Sequence, residues 1–352
     1  MSLKREILAA LAGGRPERVP WTIHHALLPQ GELERAMRNR GLAIIDKSVP
    51  PYLAVSPSVS VEERQVIERG RRAFHTTYHT PIGDLHGTKV VGPDGSTWVT
   101  QYPVRQASDL PILEYIGKGT EYHPNDAAIL ARQQTLGEDG LVLCRMMRSP
   151  LQRLLIEWMG TEGVVFALTD HPEPMRRLLD AMAEDDEPAF AVATQSPAEA
   201  LWSSENISSA ITTPRLFLRY CLPYYDRLAS LAHARGKLYG VHMDGKLRAL
   251  KGAIAESALD FIEGFTPPPI GDLDLPEARQ AWPGKVLWTN FPGNELHRPD
   301  AEIVAYTTRL LKVGMQLGGF LLTLTEDFPQ PERSLPLIAE GVARYEAEQA
   351  AR

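Results

Sequence analysis

The sequence predicts an α/β fold, a (β/α)8 TIM barrel, and three observations carry that expectation. From residue 198 onward, short apolar runs alternate with amphipathic helical stretches, the pattern of βαβ units feeding a parallel sheet. Three more apolar runs lie upstream, which makes eight strand candidates, the number that closes such a barrel. No glycine-rich dinucleotide fingerprint follows the first run, which weighs against the rival doubly wound open sheet.

In chain order the candidates are VPWTIHH (19–25), YLAVS (52–56), LVLCRMM (141–147), EALWSSEN (199–206), KLYGVHMD (237–244), LDFIEGF (259–265), KVLWTNF (285–291) and GFLLTLTED (319–327). Helices are expected from Pro214 to Arg235, over Lys246–Glu256, over 275–282, over Ala301–Leu317 and over Leu335–Glu348. Residues 57–140 break the alternation. There TPIGDL (80–85), GPDGS (92–96) and WVTQYPV (98–104) read as turns and short antiparallel strands. They are expected to form an insertion after the second strand, within one domain spanning 1–352, covering one end of the barrel.

Composition narrows the function. The 352 residues are 43% hydrophobic and 23% charged, an ordinary globular balance. Net charge is −7 with no block of lysines or arginines, which argues against a nucleic-acid partner. No apolar stretch approaches the ~20 residues of a membrane helix, and MSLKREILAALAGGRPERVP is too interrupted for a signal peptide. A soluble, cytoplasmic protein is expected. Cys144 and Cys221 form no CxxC pair and sit in apolar segments, so both read as reduced core thiols.

Barrel enzymes place their chemistry at the C-terminal strand ends, where loops vary without disturbing the core. The polar residues at those ends are His24 and His25, Arg145 and Arg148, Glu205 and Asn206, His242 and Asp244, Glu263 and Thr266, Asn290, and Glu326 with Asp327. Singly, each has a structural reading: Arg148 as an ion-pair partner, Asn290 as a helix cap, Glu263 as a buried hydrogen-bonding group. Together they ring one rim with imidazoles, carboxylates and arginines, as a polar or anionic substrate requires. His242 and Asp244 stand at i and i+2, which turns both side chains to one face. They read either as two donors of a metal site or as a hydrogen-bonded couple. A metal site needs a third donor, for which Glu326 is the first candidate and Glu263 and Asp327 the next.

The stretches ENISSAITTPRLFLRYCLPYY (205–225), ARGKLYGVHMDGKL (234–247), LDFIEGFTPPPIGDLDLPEARQAW (259–282) and LTEDFPQP (324–331) resemble the uroporphyrinogen decarboxylase superfamily. Besides the decarboxylase, that superfamily contains methyltransferases that move methyl groups between corrinoids and thiols. The resemblance implies a (β/α)8 barrel. Its methyltransferase branch binds zinc through a His-x-Cys pair after strand five and a distant cysteine three residues before a proline. Here the pair reads His242-Met243-Asp244, and Glu326 precedes Pro329 by three. The implied set is therefore His242, Asp244 and Glu326, serving as metal ligands and as the catalytic group. That harder set suits Zn2+, and also Fe2+ or Mn2+.

The true decarboxylase carries an arginine-rich loop after strand one. This chain has TIHHALLPQGELERAMRNRG (22–41) instead, with Arg35, Arg38 and Arg40 at helical spacing, so uroporphyrinogen decarboxylation is not expected. The resemblance thus implies a metal-dependent methyltransferase working with a corrinoid as co-substrate and a corrinoid protein as partner. His24, His25, Arg145, Arg148, Glu205, Asn206, Glu263 and Asn290 would line the pocket for a small-molecule substrate. A decarboxylase or lyase of a carboxylated substrate, with Arg145 or Arg148 as clamp, and a non-catalytic binding barrel remain the alternatives.

Overall fold

The computed structural model describes residues 2–14, 16–93, 95–325 and 329–351. Its contacts divide the chain into two compact units: residues 1–51, 125–147 and 193–352, and residues 52–124 and 148–192.

The first unit is a closed eight-stranded barrel. Its strands are β1 (Trp21–His24), β2 (Ala43–Asp46), β3 (Gly140–Met146), β4 (Ala200–Ser203), β5 (Leu238–His242), β6 (Phe261–Phe265), β7 (Val286–Asn290) and β8 (Phe320–Leu324). Each pairs in parallel with its sequence neighbours, and β1 pairs with β8 to close the ring. Helices over Pro214–His233, Lys251–Glu256, Leu275–Ala281, Asp300–Leu317 and Pro331–Ala350 follow the later strands, close to their expected positions.

Six strands fall inside the expected runs, β3 begins one residue before its run, and one strand lies elsewhere. Tyr52–Val55 is a strand, but it pairs antiparallel with Glu121–Pro124 in the second unit. The barrel's second strand is Ala43–Asp46, which lies between β1 and β3. The reason is burial. All four residues of Ala43–Asp46 are buried, whereas in Tyr52–Val55 only Tyr52 is. A parallel strand is covered on both faces and shows no alternation, so a four-residue apolar run is easily passed over for a more β-like neighbour. The helix Asp126–Leu136 leads into β3 and belongs to the barrel unit, so the segment departing from the barrel pattern ends sooner than residue 140.

The second unit carries a four-stranded antiparallel sheet over Ser60–Glu68, Arg71–Thr80, Gly83–Val91 and Thr97–Gln101, with helices including Leu110–Lys118 and Pro172–Asp185.

Inside the barrel, alternate residues from six strands join one apolar cluster. It includes Ala43 and Ile45, Leu141 and Leu143, Ala200 and Trp202, Phe261, Val286 and Trp288, and Leu321. Period-two alternation from these positions sets the next residue of each strand inward at the C-terminal mouth. At the other end, Ile7, Ala10 and Leu11 of the helix Leu3–Leu11 join the same cluster and plug the base. Each large side chain buried this way contributes about 1.5–3 kcal/mol. Cys144 and Cys221 are free and buried, and burial pushes the Cys144 thiol up to about 12. Among the described residues, no helix is long and apolar enough to cross a membrane.

Candidate active site

The mouth is organised around a carboxylate with no exposure to solvent. Glu263 sits on β6 at 0% exposure and makes three bonds. Lys47 Nζ donates to Oε1 at 2.7 Å. At Oε2, Trp202 Nε1 donates at 3.0 Å and His242 Nδ1 lies 2.6 Å away. Burial alone would raise the Glu263 pKa, but Lys47 and His242 outweigh it and hold it at about 2. The Lys47 ammonium also lies 4.3 Å from the centroid of the Trp202 ring, a cation–π contact.

His242 ends β5 with its ring held on both sides. Nδ1 faces Glu263, and Nε2 faces Asp244 Oδ2 at 3.6 Å. Burial would lower the imidazole pKa, yet Glu263 and Asp244 more than offset it, and the value rises to about 9. Asp244 is held below the usual carboxylate range: burial opposes this, and His242 outweighs burial. The backbone makes room for the ring at Gly264. There φ is +76° and a Cβ would stand 2.4 Å from His242 Cε1, beside a register shift between Glu263 and Phe265. Only glycine adopts that conformation without strain and leaves the imidazole its place.

A second imidazole behaves oppositely. Burial, then Lys47 and His25, push His24 down to about 4, while Glu263 and Asp46 partly oppose them. His24 packs edge-on against His25 at 4.7 Å between centroids. His25 Nδ1 stands 3.6 Å from Asp46 Oδ1, beyond hydrogen-bond reach. Asp46 is buried, accepts from the Ser48 backbone and hydroxyl at 2.9 and 2.6 Å, and pairs with Arg132. These bonds keep its pKa below the usual range even though burial pulls the other way.

The other residues expected here are placed variously. Arg145 ends β3 with an exposed side chain, on the inward face by alternation from Leu141 and Leu143. Asn290 ends β7, is 1% exposed, and accepts from the Thr325 N–H and hydroxyl, both at 3.1 Å. Glu205 is buried and accepts from Tyr225 Oη at 2.8 Å, so one of its oxygens serves the helix that follows β4. Asn206 is exposed in a left-handed conformation, φ +54°. Arg148 belongs to the second unit, where it pairs with Glu157 at 2.7 Å. Thr266 donates to Gly264 O at 2.9 Å. Glu326 and Asp327 lie outside the described residues.

Lys47, Asp46 and Trp202 were not anticipated. Lys47 and Asp46 were hidden by the misplaced second strand, since Asp46 ends the true β2 and Lys47 follows it. Their signal was an Asp-Lys pair closing the run Leu42–Ile45 just ahead of Pro50 and Pro51. Trp202 lies within the expected fourth strand; its ring belongs to the core and its indole N–H reaches the site.

Among the described residues no three His, Cys, Asp or Glu side chains are grouped to hold a metal. His242 and Asp244 fit as two of three donors. Ligands at ~2.1 Å around a tetrahedral zinc stand about 3.4 Å apart, near the observed 3.6 Å. A carboxylate on the far ring nitrogen is the usual support of a metal-binding histidine.

A cleft of about 570 Å3 bordered by Gly14, Lys312, Gln316, Phe320 and Tyr345 lies by the N-terminal end of β8, away from this chemistry.

No family model and no curated protein matches the chain. Among solved structures it is similar to a Listeria monocytogenes protein described as a vitamin-B12-independent methionine synthase, at 12% identity over 64% of this chain and 70% of that one, with TM-score 0.36. It is also similar to a xylose isomerase domain protein from Planctomyces limnophilus, at 11% identity over 95% and 99% of the two chains, with TM-score 0.41. The catalytic modules of a pneumococcal exo-β-D-N-acetylglucosaminidase align at 10% identity over 97% and 89%, with TM-score 0.41. Likeness at this level speaks to no chemistry.

Proposed function

We propose that the chain is a metal-dependent methyltransferase of the uroporphyrinogen decarboxylase superfamily. It would move a methyl group between a corrinoid, carried by a partner protein, and a small molecule. His242, Asp244 and Glu326 would hold Zn2+, with Fe2+ or Mn2+ as the other candidates. One observation carries this reading: a buried carboxylate fixes His242 Nδ1 and turns Nε2 toward Asp244 at the mouth. When bound, the ion supplies Lewis acidity, which lowers the pKa of a coordinated acceptor or polarises a methyl-bearing oxygen. Glu263 keeps the proton on Nδ1, Lys47 balances the Glu263 charge, and Gly264 leaves the imidazole room to stay in place. His24, unprotonated at neutral pH, stands ready to accept a proton.

A second reading follows from the split between the two imidazoles. Neighbouring groups whose environments push their pKa values apart make an acid and a base. His242 near 9 would donate and His24 near 4 would accept, as a lyase acting on a carboxylated substrate requires.

Elemental analysis of the purified protein, followed by an assay of methyl transfer to and from free cobalamin, separates the two. About one equivalent of metal, lost in His242→Ala together with methyl transfer, supports the first. Metal-free protein that turns over a carboxylated substrate, dependent on both imidazoles, supports the second.

A further inference from the structure

The Asn290 carboxamide is buried at the mouth, and only half of it is bonded. Its oxygen accepts from the Thr325 N–H and hydroxyl. A backbone N–H can only donate, so this contact fixes which end of the amide is oxygen. The nitrogen is thereby turned away from Thr325, and Nδ2 is buried with no hydrogen-bond partner among the described residues. Buried donors are rarely left so, and one that faces a site is explained by an acceptor from a ligand, an ion or an ordered water.

Its position says what that is. Val286 and Trp288 of β7 face the barrel interior, so Asn290, two residues on, points into the mouth. It stands in register with Thr323 on β8 and one strand from Glu263 on β6. Lys47 is drawn to this same wall and gives one of its three N–H bonds to Glu263. A free N–H donor at the mouth that also holds the Lys47 ammonium suits an acceptor oxygen, and a charged acceptor makes the stronger bond.

We propose that Asn290 is a specificity-determining residue, whose Nδ2 donates to a carboxylate oxygen of the substrate. The proposal rests on reading this mouth as the substrate site, but on neither the metal nor the methyl transfer. It requires the substrate to present an unprotonated oxygen at the β7 end, and it disfavours an isostere presenting N–H donors there.

Benzoate and benzylamine serve as probes, titrated calorimetrically into the full-length protein. Wild type should bind benzoate, and benzylamine at least tenfold more weakly. Asn290→Asp keeps the acceptor for Thr325 and exchanges the donor for an anionic oxygen, so benzoate affinity should fall more than tenfold. Asn290→Ala removes the donor without adding charge and should lose about tenfold. Thermal unfolding checks that each variant folds; should Asn290→Asp not fold, Asn290→Ala decides. Benzoate affinity equal to wild type in the folded variants would overturn the proposal. So would a wild type that binds benzylamine as well as benzoate, or that binds no benzoate at millimolar concentration. Metal content and methyl transfer are read on the same samples: their absence overturns the proposed function and leaves the benzoate result standing.

Discussion

Cations wholly or partly buried stand at both ends of this barrel, and they do different work. At the N-terminal end, Lys285 Nζ donates to the carbonyls of Ser257 and Leu259, and Lys237 Nζ to those of Ser196 and Ala198. Arg279 serves the carbonyls of Gly318, Gly319, Trp282 and Lys285. These groups tie the entries of neighbouring strands together through neutral backbone, and burial pulls all three pKa values down. At the C-terminal mouth, Lys47 meets a carboxylate, the carboxylate meets an imidazole, and the imidazole meets a second carboxylate. Cations bonded to backbone carbonyls hold strands in place. Cations in a chain of titratable side chains set protonation states, and the same mouth holds the spare donor of Asn290 on the next strand.

The comparison breaks first at Glu263. Glu263→Gln leaves Lys47 and His242 buried without their shared anion. Breaking a buried pair from one side costs about 3–5 kcal/mol, to be read by urea denaturation, and activity should vanish. A loss under 1 kcal/mol would mean that the mouth is no more coupled than the base.

Gly264→Ala tests the space beside His242. A left-handed φ and a Cβ 2.4 Å from the ring should cost about 1–3 kcal/mol. The larger sign is displacement of the imidazole, seen as a changed His242 titration by NMR. At the base, Lys285→Met strands two carbonyls and should cost about 1–2 kcal/mol, with kcat unchanged in the folded protein. A fall in kcat there would erase the distinction between the two ends.

The last test is pH dependence, measured on metal-free protein. His242 has its folded pKa raised from 6.5 to about 9, so its contribution is complete below 6.5 and fades as pH rises through 9. His24 has its folded pKa lowered to about 4, so its contribution is present above 6.5 and fades as pH falls toward 4. The two together place greatest stability near pH 6.5. His242→Ala should flatten the alkaline limb only, and a limb unchanged in that variant would assign it elsewhere.

Much of the fold is legible because barrel strands and helices announce themselves locally. KLYGVHMD and KVLWTNF are apolar runs closed by polar residues, and both became strands where expected. The mouth was legible in the same way, since strand ends could be read for His24, His242, Glu263 and Asn290. Two errors trace to one cause. Ala43–Asp46 was passed over for Tyr52–Val55, because four residues buried on both faces carry no periodicity. With that strand went Asp46 and Lys47.

The sequence by itself determined the alternation of strands and helices, the absence of a dinucleotide fingerprint, and the spacing that turns His242 and Asp244 one way. Only the tertiary structure decided which partners those groups meet. His242 was read toward Asp244, yet its shorter contact is to Glu263, a neighbour across a strand pairing. Lys47 and Glu263 stand 216 positions apart, and nothing local relates them. Strand closure brings them together, and inside the barrel each ionised group must find its counter-charge or lose its own charge, a carboxylate by gaining a proton and an ammonium by giving one up, because water is not there to solvate it.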